Sequence, residues 1–380
     1  MPEPPPNAHG HTLRYSRAKG RANISSVGAC GKCVSRASGL EDGGLNVGKL
    51  ARLTASAAAL VFAVGASVAF AQEMKFFRIG TGGAGGTYFP IGGLMANAIS
   101  APPGSTPCDK GGACGVPGLV AIAQTTNASV ANATGVQSGQ MESGLASADI
   151  VYQAVNGIGR FDKKYDKLQV IANLFPEHMH LVLPKAGKLG AIAELKGKRV
   201  GIFQAGSGTQ VVVLELLKLY GIEKKDIQAA ELNAQQSADR MADGQLDAFF
   251  IVGGTPLSAL TQLAALKGME LYSLSDDERA KFLAAVPYYY EDTLKAGTYE
   301  GQKGDIKTVA VGAQWIVSAD VPEKLVYDIT AALWNDNTRK LFDNGHAKAK
   351  EIQLNSALKA VSTPVHPGAE KFYKEKGVTK

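Results

Sequence analysis

The sequence predicts an α/β protein of two similar lobes, each a mostly parallel sheet flanked by helices, with a ligand cleft between the lobes. Two observations lead to this prediction. One supersecondary unit occurs twice, as strand, glycine-rich loop, helix, strand, polar turn, helix and strand, and strand–helix alternation is typical of parallel sheets. The chain of 380 residues, 45% hydrophobic and 19% charged, is also long enough for two soluble domains.

The first copy of the unit lies in residues 75–152. Its elements are a strand over 75–79, a glycine-rich loop over 80–88, a helix over 89–99, a strand over 119–124, a polar turn over 125–129, a helix ending near 139 and a closing strand over 148–152. Apolar residues at helical spacing support the first helix. The residue types of the polar turn are those that cap a helix N-terminus.

The second copy lies in residues 198–251. Its elements are a strand over 198–203, a loop over 205–209, a helix over 210–220, a strand over 229–232, a polar turn over 233–237, a short helix ending at 243–244 and a strand over 246–251. A strand over 308–317, a helical region over 322–343 and a C-terminal helix follow. These last elements are long enough to complete the first lobe.

This organisation predicts how the chain is divided and where a ligand binds. We expect lobe I to comprise 72–178 with 308–380, and lobe II to comprise 179–307. Parallel α/β sheets bind ligands beyond the carboxyl ends of their strands. Both glycine loops and both polar turns should therefore converge on one cleft between the lobes.

The N-terminal region has the features of an export signal. Residues 1–48 are rich in Pro, Gly, Ser and Arg, and we interpret them as disordered or as lying upstream of the true start codon. Lys49 and Arg52 precede an uncharged apolar run, which ends in the A-x-A cleavage site 69–71. We therefore predict a signal peptide over 49–71, cleavage after Ala71 and a periplasmic protein.

The charge is concentrated in this leader. Residues 1–71 hold eight of the 40 Lys and Arg residues and three of the 34 acids, which leaves 32 basic and 31 acidic residues in 72–380. Nucleic-acid binding needs concentrated cations. A nearly neutral body therefore argues against nucleic acid as a partner.

Residues 80–85 match G-x-G-x-x-G after a strand and before a helix, the pattern of dinucleotide-binding sites. The rival interpretation is therefore a secreted oxidoreductase. The next strand ends in Ala121–Gln124 without an acid to hold a ribose hydroxyl, and export removes the protein from the nicotinamide pool. We expect no cofactor. Exposed N–H groups before a helix still favour an anion, and a carboxylate suits them as well as a phosphate.

Other motifs carry weaker signals. Ser207 lacks the G-x-S-x-G spacing of a nucleophile, so a ligand hydrogen bond or a helix N-cap is its expected role. His178 and His180 would share one face of a strand, but no third metal ligand accompanies them. The aromatic run 288–290 could form a cleft wall or pack beneath a loop. No metal site and no acid–base pair stand out, and we predict that the protein is not an enzyme.

The cysteines fall into two pairs. Cys30 and Cys33 form a C-x-x-C in the leader without a second pair. Cys108 and Cys114 lie six apart in a glycine-rich loop of the predicted mature chain. Exported proteins oxidise their cysteines, so we expect a disulfide between Cys108 and Cys114 that constrains a surface loop.

From Phe77 to nearly its end, the chain resembles the TAXI-type solute receptors of TRAP transporters. The segments that carry this resemblance are Gly80–Pro90, Asn127–Asn132, Glu142–Leu145, Ala148–Asp149, Leu195–Val200, Gly206–Thr209, Asp243–Phe250, Gly254–Pro256, Gly297–Tyr299 and His366–Ala369. The resemblance implies a type II periplasmic-binding-protein fold that closes around one small organic anion, such as glutamate, glutamine or a dicarboxylate. It also implies that the protein delivers this ligand to an ion-gradient-driven TRAP permease. We expect the protein to be a monomer.

The resemblance further implies a set of ligand contacts. They would be Gly83, Gly86, Thr87, Tyr88, Asn127, Ala128, Ser129, Gly206, Ser207, Gly208, Thr209 and Gly254. The chain departs from the family pattern at Ser147, where relatives carry Gln, and this puts the ligand's identity in doubt. Arg78, Arg160 and Arg240 could each pair with a ligand carboxylate. A ligand-binding subunit of a signalling receptor would share all these features, so it stays as an alternative.

Overall fold

The computed structural model describes residues 73–379. The predicted leader 1–48, signal peptide 49–71 and cleavage after Ala71 lie outside the described residues. Within 73–379, none of the helices has the length and apolar character needed to cross a membrane.

Twelve strands are formed by the described residues. They are β1 Lys75–Gly80, β2 Ser100–Ala101, β3 Val116–Pro117, β4 Leu119–Gln124, β5 Ser143–Ser147, β6 Leu168–Pro184, β7 Arg199–Gly201, β8 Gln228–Ala230, β9 Ala248–Gly253, β10 Met269–Leu271, β11 Tyr290–Leu294 and β12 Ile306–Ser318.

Ten α-helices alternate with these strands. They are α1 Tyr88–Ile99, α2 Ser129–Gln137, α3 Ala148–Asn156, α4 Gly208–Leu219, α5 Ala234–Ala242, α6 Ser258–Leu266, α7 Asp276–Ala285, α8 Glu323–Leu333, α9 Asp336–Gly345 and α10 Pro367–Glu375. Short 3-10 helices occur at Cys108–Lys110, Ile192–Leu195, Lys224–Asp226, Ala347–Glu351 and Leu354–Ser356.

Ten of the strands form one mixed sheet in the order β4-β1-β5-β12-β6-β9-β7-β8, with β11 beside β12 and β10 beside β6. At one end β4, β1 and β5 are parallel, and at the other end β9, β7 and β8 are parallel. We name the first group with its helices the first lobe and the second group with its helices the second lobe. The two lobes correspond to the two copies of the repeated unit.

Two long antiparallel strands, β6 and β12, join the lobes. The first part of β6 pairs with β12, and its last residues pair with β9 and β10. Likewise, β12 pairs with β5 at its end and with β11 at its beginning. The predicted lobe boundaries, at 178/179 and 307/308, fall inside these shared strands and stay a prediction.

Buried apolar side chains cover both faces of the sheet in both lobes. In the first lobe, α1, α8 and α10 pack on one face, and α2 and α3 pack on the other. The second lobe has α4 and α7 on one face, and α5 and α6 on the other. The prediction of a two-lobed type II periplasmic-binding-protein fold is confirmed.

Several predicted elements differ from the structure. The closing strand predicted over 148–152 is wrong, because this segment begins α3 and the strand is β5. Every residue of β5 is buried, and its small side chains fit between β1 and β12. Buried Ile150, Val151 and Ala154 follow helical spacing instead. The helical region over 322–343 is two helices, α8 and α9, and β6 was not predicted.

The predicted cysteine pair lies between β2 and β3. The structure joins Cys108 and Cys114 in a disulfide. The side-chain amide of Asn337, on α9, donates to both sulfur atoms. The disulfide therefore contacts a helix from the C-terminal part of the first lobe.

Trp315 on β12 lies in the core of the first lobe, and its replacement tests how much that core contributes to stability. It is fully buried, its Nε1 donates to Ser143 Oγ at 3.1 Å, and its ring meets Phe77 edge to face. Replacing Trp315 by Phe should lower the free energy of unfolding by roughly 2 kcal/mol, because it removes the hydrogen bond and leaves space unfilled. Urea unfolding measures this loss.

The matched control is Trp334→Phe. Trp334 also makes a hydrogen bond, to Tyr373 Oη at 3.1 Å, but it is only half-buried. Its replacement should therefore cost about half as much or less. Equal losses for the two variants would contradict the central position assigned to Trp315.

Candidate functional site

A cavity of about 350 Å³ lies between the two lobes. The first lobe contributes Gly82, Gly83, Ala84, Gly85, Gly86, Thr87, Tyr88, Ala128, Ser129 and Ser147 to its wall, and β6 contributes Glu177. The second lobe contributes Phe203, Gln204, Ser207, Gly208, Thr209, Asn233, Ala234, Gln235, Ile251, Val252, Gly253, Leu257, Ser258 and Gln262. The cavity is thus bounded by both glycine loops and both polar turns.

The N-termini of six helices meet at this cavity. Their N-cap residues, all in its wall, are Thr87 for α1, Ala128 for α2, Ser147 for α3, Ser207 for α4, Asn233 for α5 and Leu257 for α6. A helix N-terminus presents N–H groups without intrahelical partners and a partial positive charge of about half a unit. The arrangement therefore favours a negatively charged group in the cavity.

N-cap side chains accept hydrogen bonds from the unpaired N–H groups at only two of these six termini. Ser207 Oγ accepts the Gln210 N–H at 3.1 Å, and Asn233 Oδ1 accepts the Gln236 N–H at 2.9 Å. The N-cap residues of α1, α2, α3 and α6 make no capping hydrogen bond with their side chains. Among residues 73–379, no lysine or arginine lines the cavity. Its positive potential therefore comes from the backbone.

Glu177 is the one carboxyl side chain among the described residues that line the cavity. It is 3% exposed, and the Tyr88 hydroxyl donates to its Oε2 at 2.7 Å. Burial raises the pKa of Glu177 to about 8, with a smaller contribution from the charge of Asp149. Burial beside Glu177 also raises the pKa of Tyr88 well above its usual value. Both shifts favour the protonated, neutral forms of the two groups.

Two serines connect this pair to the base of the first lobe. Ser129 Oγ accepts the Ser147 N–H at 3.1 Å and the Ser147 hydroxyl at 3.3 Å, and it lies 3.5 Å from the Tyr88 hydroxyl. Asp149 lies just beyond, buried, with no hydrogen-bond partner for its Oδ1 among the described residues. Burial raises the pKa of Asp149 to about 6.

Two residues of the cavity wall have strained backbone conformations. Ala128 has φ 71° and Phe203 has φ 69°, and such values cost a residue with a side chain about 1–3 kcal/mol. Ala128 is the N-cap of α2, and its N–H donates to Thr126 Oγ1 at 3.0 Å. The strained residue Ala128 therefore lies at the N-terminus of α2, in the wall of the cavity.

Hydrogen bonds join the lobes around the cavity. The Ala131 N–H donates to Gly206 O at 3.0 Å, and the Ala259 N–H donates to Gly85 O at 3.2 Å. The Thr87 hydroxyl donates to the carbonyl of Gly254. The structure therefore shows the two lobes in a closed arrangement.

Most of the predicted contact residues lie in the cavity wall. They are Gly83, Gly86, Thr87, Tyr88, Ala128, Ser129, Ser207, Gly208 and Thr209. The structure does not bring Asn127, Gly206 and Gly254 to the wall. Gly206 and Gly254 accept the hydrogen bonds between lobes, and Asn127 lies against Gly206.

Two hydroxyl side chains among the predicted ligand contacts, those of Thr87 and Ser207, have partners within the protein. Thr87 donates to Gly254, and Ser207 donates to Gln204 O at 2.7 Å while it caps α4. For Ser207 the structure therefore supports the N-cap rather than the ligand donor.

The histidine pair lies inside the protein. His178 and His180 are both buried; His178 Nε2 lies 3.0 Å from Asp292 Oδ2, and His180 Nε2 lies 3.2 Å from Tyr299 Oη. Burial lowers the pKa of both, that of His180 to about 3. Within the described part of the chain, no three His, Cys, Asp or Glu side chains are grouped as metal ligands would be.

The aromatic run does not form a wall of the cavity. Tyr289 is buried against Phe282, and Tyr288 stacks on Tyr152 of the first lobe with ring centroids 4.7 Å apart. Tyr290 begins β11 and is 44% exposed. Tyr289 therefore packs inside the protein, against a residue of the helix α7.

The three arginines considered as ligand partners lie elsewhere. Arg78 pairs with Glu142 at 2.6 Å, and Arg240 bonds the side chain of Gln245. Neither these two nor Arg160 lines the cavity. An anion in the cavity would therefore not meet any of them.

Sequence reasoning missed Glu177, Phe203 and the wall formed by β9 and the start of α6. Glu177 has a signal in the sequence, since it is the one acid between Asn173 and Leu183 in a largely apolar stretch. Phe203 has none, because its positive φ depends on the surrounding structure. The polar turn at 233–237 was expected at the cleft, and residues 233–235 do line it.

Comparisons with known proteins found one matching family model and several similar solved structures. A family model described as the NMT1-like family matches residues 79–377. The alkanesulfonate-binding protein SsuA from Xanthomonas axonopodis pv. citri, bound to MOPS, is 17% identical, with 80% of this chain and 84% of that chain covered and a TM-score of 0.42.

Two further solved structures are similar. PhnD1 from Prochlorococcus marinus, in complex with methylphosphonate, is 12% identical, with 80% and 99% coverage and a TM-score of 0.46. An ancestral arginine-binding protein bound to arginine is 15% identical, with 72% and 100% coverage and a TM-score of 0.44. These identities and TM-scores are too low to assign a ligand to the chain.

The fold places one cavity between two similar α/β lobes. Because the family model spans nearly all of residues 73–379, the chain belongs to the NMT1-like family. The predicted membership of the TAXI-type receptors is corrected by this match, which is to the NMT1-like model. The TRAP permease and the glutamate preference rested on that membership and are not supported.

The cap at Ser207 generates a prediction. Replacing Ser207 by Ala should lower the free energy of unfolding by about 1 kcal/mol, because the Gln210 N–H loses its acceptor. Ser275 provides the control, since its Oγ accepts the Glu278 N–H at 3.2 Å at the start of α7, outside the cavity. Ser275→Ala should cost a similar amount in chemical unfolding. An unchanged stability for Ser207→Ala alone would show that its hydroxyl is not a cap.

Proposed function

We propose that the protein captures a small organic oxyanion in the cavity between its lobes and delivers it to a membrane transporter. The observation that carries the proposal is the convergence of six helix N-termini on a cavity without a lysine or arginine in its described wall. Backbone N–H groups of this kind bind carboxylate, sulfonate or phosphonate oxygens. A volume of about 350 Å³ suits a small ligand.

Closure of the lobes provides the mechanism. The α1, α2 and α3 termini belong to the first lobe, and the α4, α5 and α6 termini belong to the second. A ligand can therefore contact both sets only when the lobes are closed, and it favours the closed state by this difference in affinity. The hydrogen bonds from Ala131 to Gly206 and from Ala259 to Gly85 also stabilise the closed state, and they are made between protein groups and do not involve the ligand.

The location and the partner complete the proposal. The predicted signal peptide and the fold class support a monomeric protein in the periplasm. Its partner would be a membrane transporter that recognises the closed lobes and accepts the solute. The protein itself would act by binding, without a cofactor and without catalysis.

Thermal unfolding tests this function directly. The full chain is unfolded and refolded to remove carried-over solute, then melted with small carboxylates, sulfonates and phosphonates. At least one of them should raise the melting temperature with concentration, since a ligand that binds only the native state stabilises it by about 2.7 kcal/mol at a hundred times its Kd. No shift with any acid would refute the proposal.

A substitution that fills the cavity locates the site. Gly83 lines the cavity, and an added Cβ there meets nothing within 4 Å, so Gly83→Leu should fold normally and abolish the ligand-induced shift. Gly304 also has open space around an added Cβ but lies exposed outside the cavity. Gly304→Leu should keep the shift. Normal binding by Gly83→Leu would place the ligand elsewhere.

A further inference from the structure

Glu177 lies in the wall of the cavity in which the proposed ligand would bind. It stands on β6 opposite Val311 of β12, in the part of the sheet that joins the lobes. Its Oε2 accepts the Tyr88 hydroxyl at 2.7 Å. Its other oxygen has no hydrogen-bond partner among the described residues, although the residue lines the cavity. One carboxyl oxygen is therefore left for the ligand.

An ionised carboxylate would oppose the rest of this site. The six helix N-termini attract an oxyanion, whereas a buried negative charge beside it would repel the same group. This conflict disappears when Glu177 carries a proton. With Oε2 accepting from Tyr88, the proton lies on the free oxygen, where it can be donated to an oxyanion oxygen.

Burial, more than the groups around it, favours the neutral form of Glu177. The titratable and charged groups that face it are Tyr88 on α1, Asp149 on α3, Lys348 on the 3-10 helix at Ala347–Glu351, and Tyr289 and Tyr290 before and in β11. Burial and Asp149 favour the neutral form, and the Tyr88 hydrogen bond and Lys348 oppose it. The ammonium group of Lys348 is engaged by Glu351 at 2.7 Å.

We propose that Glu177 determines specificity as a neutral carboxylic acid that donates a hydrogen bond to the ligand, so that the cavity binds an oxyanion together with one proton. Ligands without an ammonium group are therefore preferred over their amino counterparts. An ammonium group beside Glu177 would face the positive ends of six helices, which disfavour it. This inference rests on the proposed function and names the class of ligand for the same site.

Matched pairs of acids test the preference. The pairs are succinate and L-aspartate, glutarate and L-glutamate, ethanesulfonate and 2-aminoethanesulfonate, and ethylphosphonate and 2-aminoethylphosphonate. Calorimetric titration of the full refolded chain at pH 7 gives the affinity for each. In every pair that binds, the acid without the amino group should bind at least about tenfold more tightly, a difference typical of one well-placed hydrogen bond.

The pH dependence has a defined sign. Only the protonated form of Glu177 binds the oxyanion, so affinity is retained below its pKa and lost as the pH rises through it. With a pKa of about 8, affinity should fall about tenfold between pH 7 and pH 9. Titrations in buffers of different ionisation enthalpy should show uptake of about half a proton on binding at pH 8.

Two variants separate this role from a structural one. Glu177→Gln keeps a donor and an acceptor but cannot ionise, so its affinity for the ligand should no longer depend on pH between 7 and 9. Tyr88→Phe removes a hydrogen bond that stabilises ionised Glu177, so it should move the loss of affinity to higher pH. The control Glu270→Gln changes an exposed carboxyl on β10 and should leave the pH profile unchanged.

The outcomes distinguish the two proposals. Failure of every acid in the panel to bind would overturn the proposed function and this inference with it. Tight binding of an amino acid with proton release, abolished in Glu177→Gln, would overturn this inference alone, because the ligand's ammonium would then pair with ionised Glu177. Binding without any pH dependence in the natural protein would overturn it as well.

Discussion

The polarity of the parallel strands is the constraint on which this structure depends. In each lobe, a parallel strand runs towards the cleft and the next helix begins there, so the chain returns with its helix N-terminus at the same edge. Three helices of each lobe obey this rule, and all six of their N-cap residues line the cavity. The positive potential of the site is thus a property of the fold, and few particular side chains are needed to produce it.

The same constraint explains how much the sequence could predict. The repeated unit identified the lobes, the two glycine loops and the two polar turns, because glycine runs and capping residues act locally. It could not reveal β6, whose apolar residues serve both lobes, or the role of Asn127 and Gly206, which depends on how the lobes meet. Ser143–Ser147 was missed because a strand of small residues has no β-branched or aromatic signal.

Buried carboxyl groups and strained backbone conformations, which lower the stability of a protein, occur in or beside the cavity. Glu177 and Asp149 are buried carboxyls, and Ala128 and Phe203 have positive φ in the wall of the same cavity. A fold selected for stability alone would contain apolar residues and relaxed turns at these positions. The surrounding core, with Trp315 and its neighbours, holds these groups in place.

The first lobe is assembled from both ends of the described chain. Phe77 on β1 and Tyr373 on α10 belong to one buried cluster, whereas the buried clusters of the second lobe lie within 179–311. A ribosome releases the N-terminal residues long before their partners exist. The core of the first lobe can therefore close only after α10 has been synthesised.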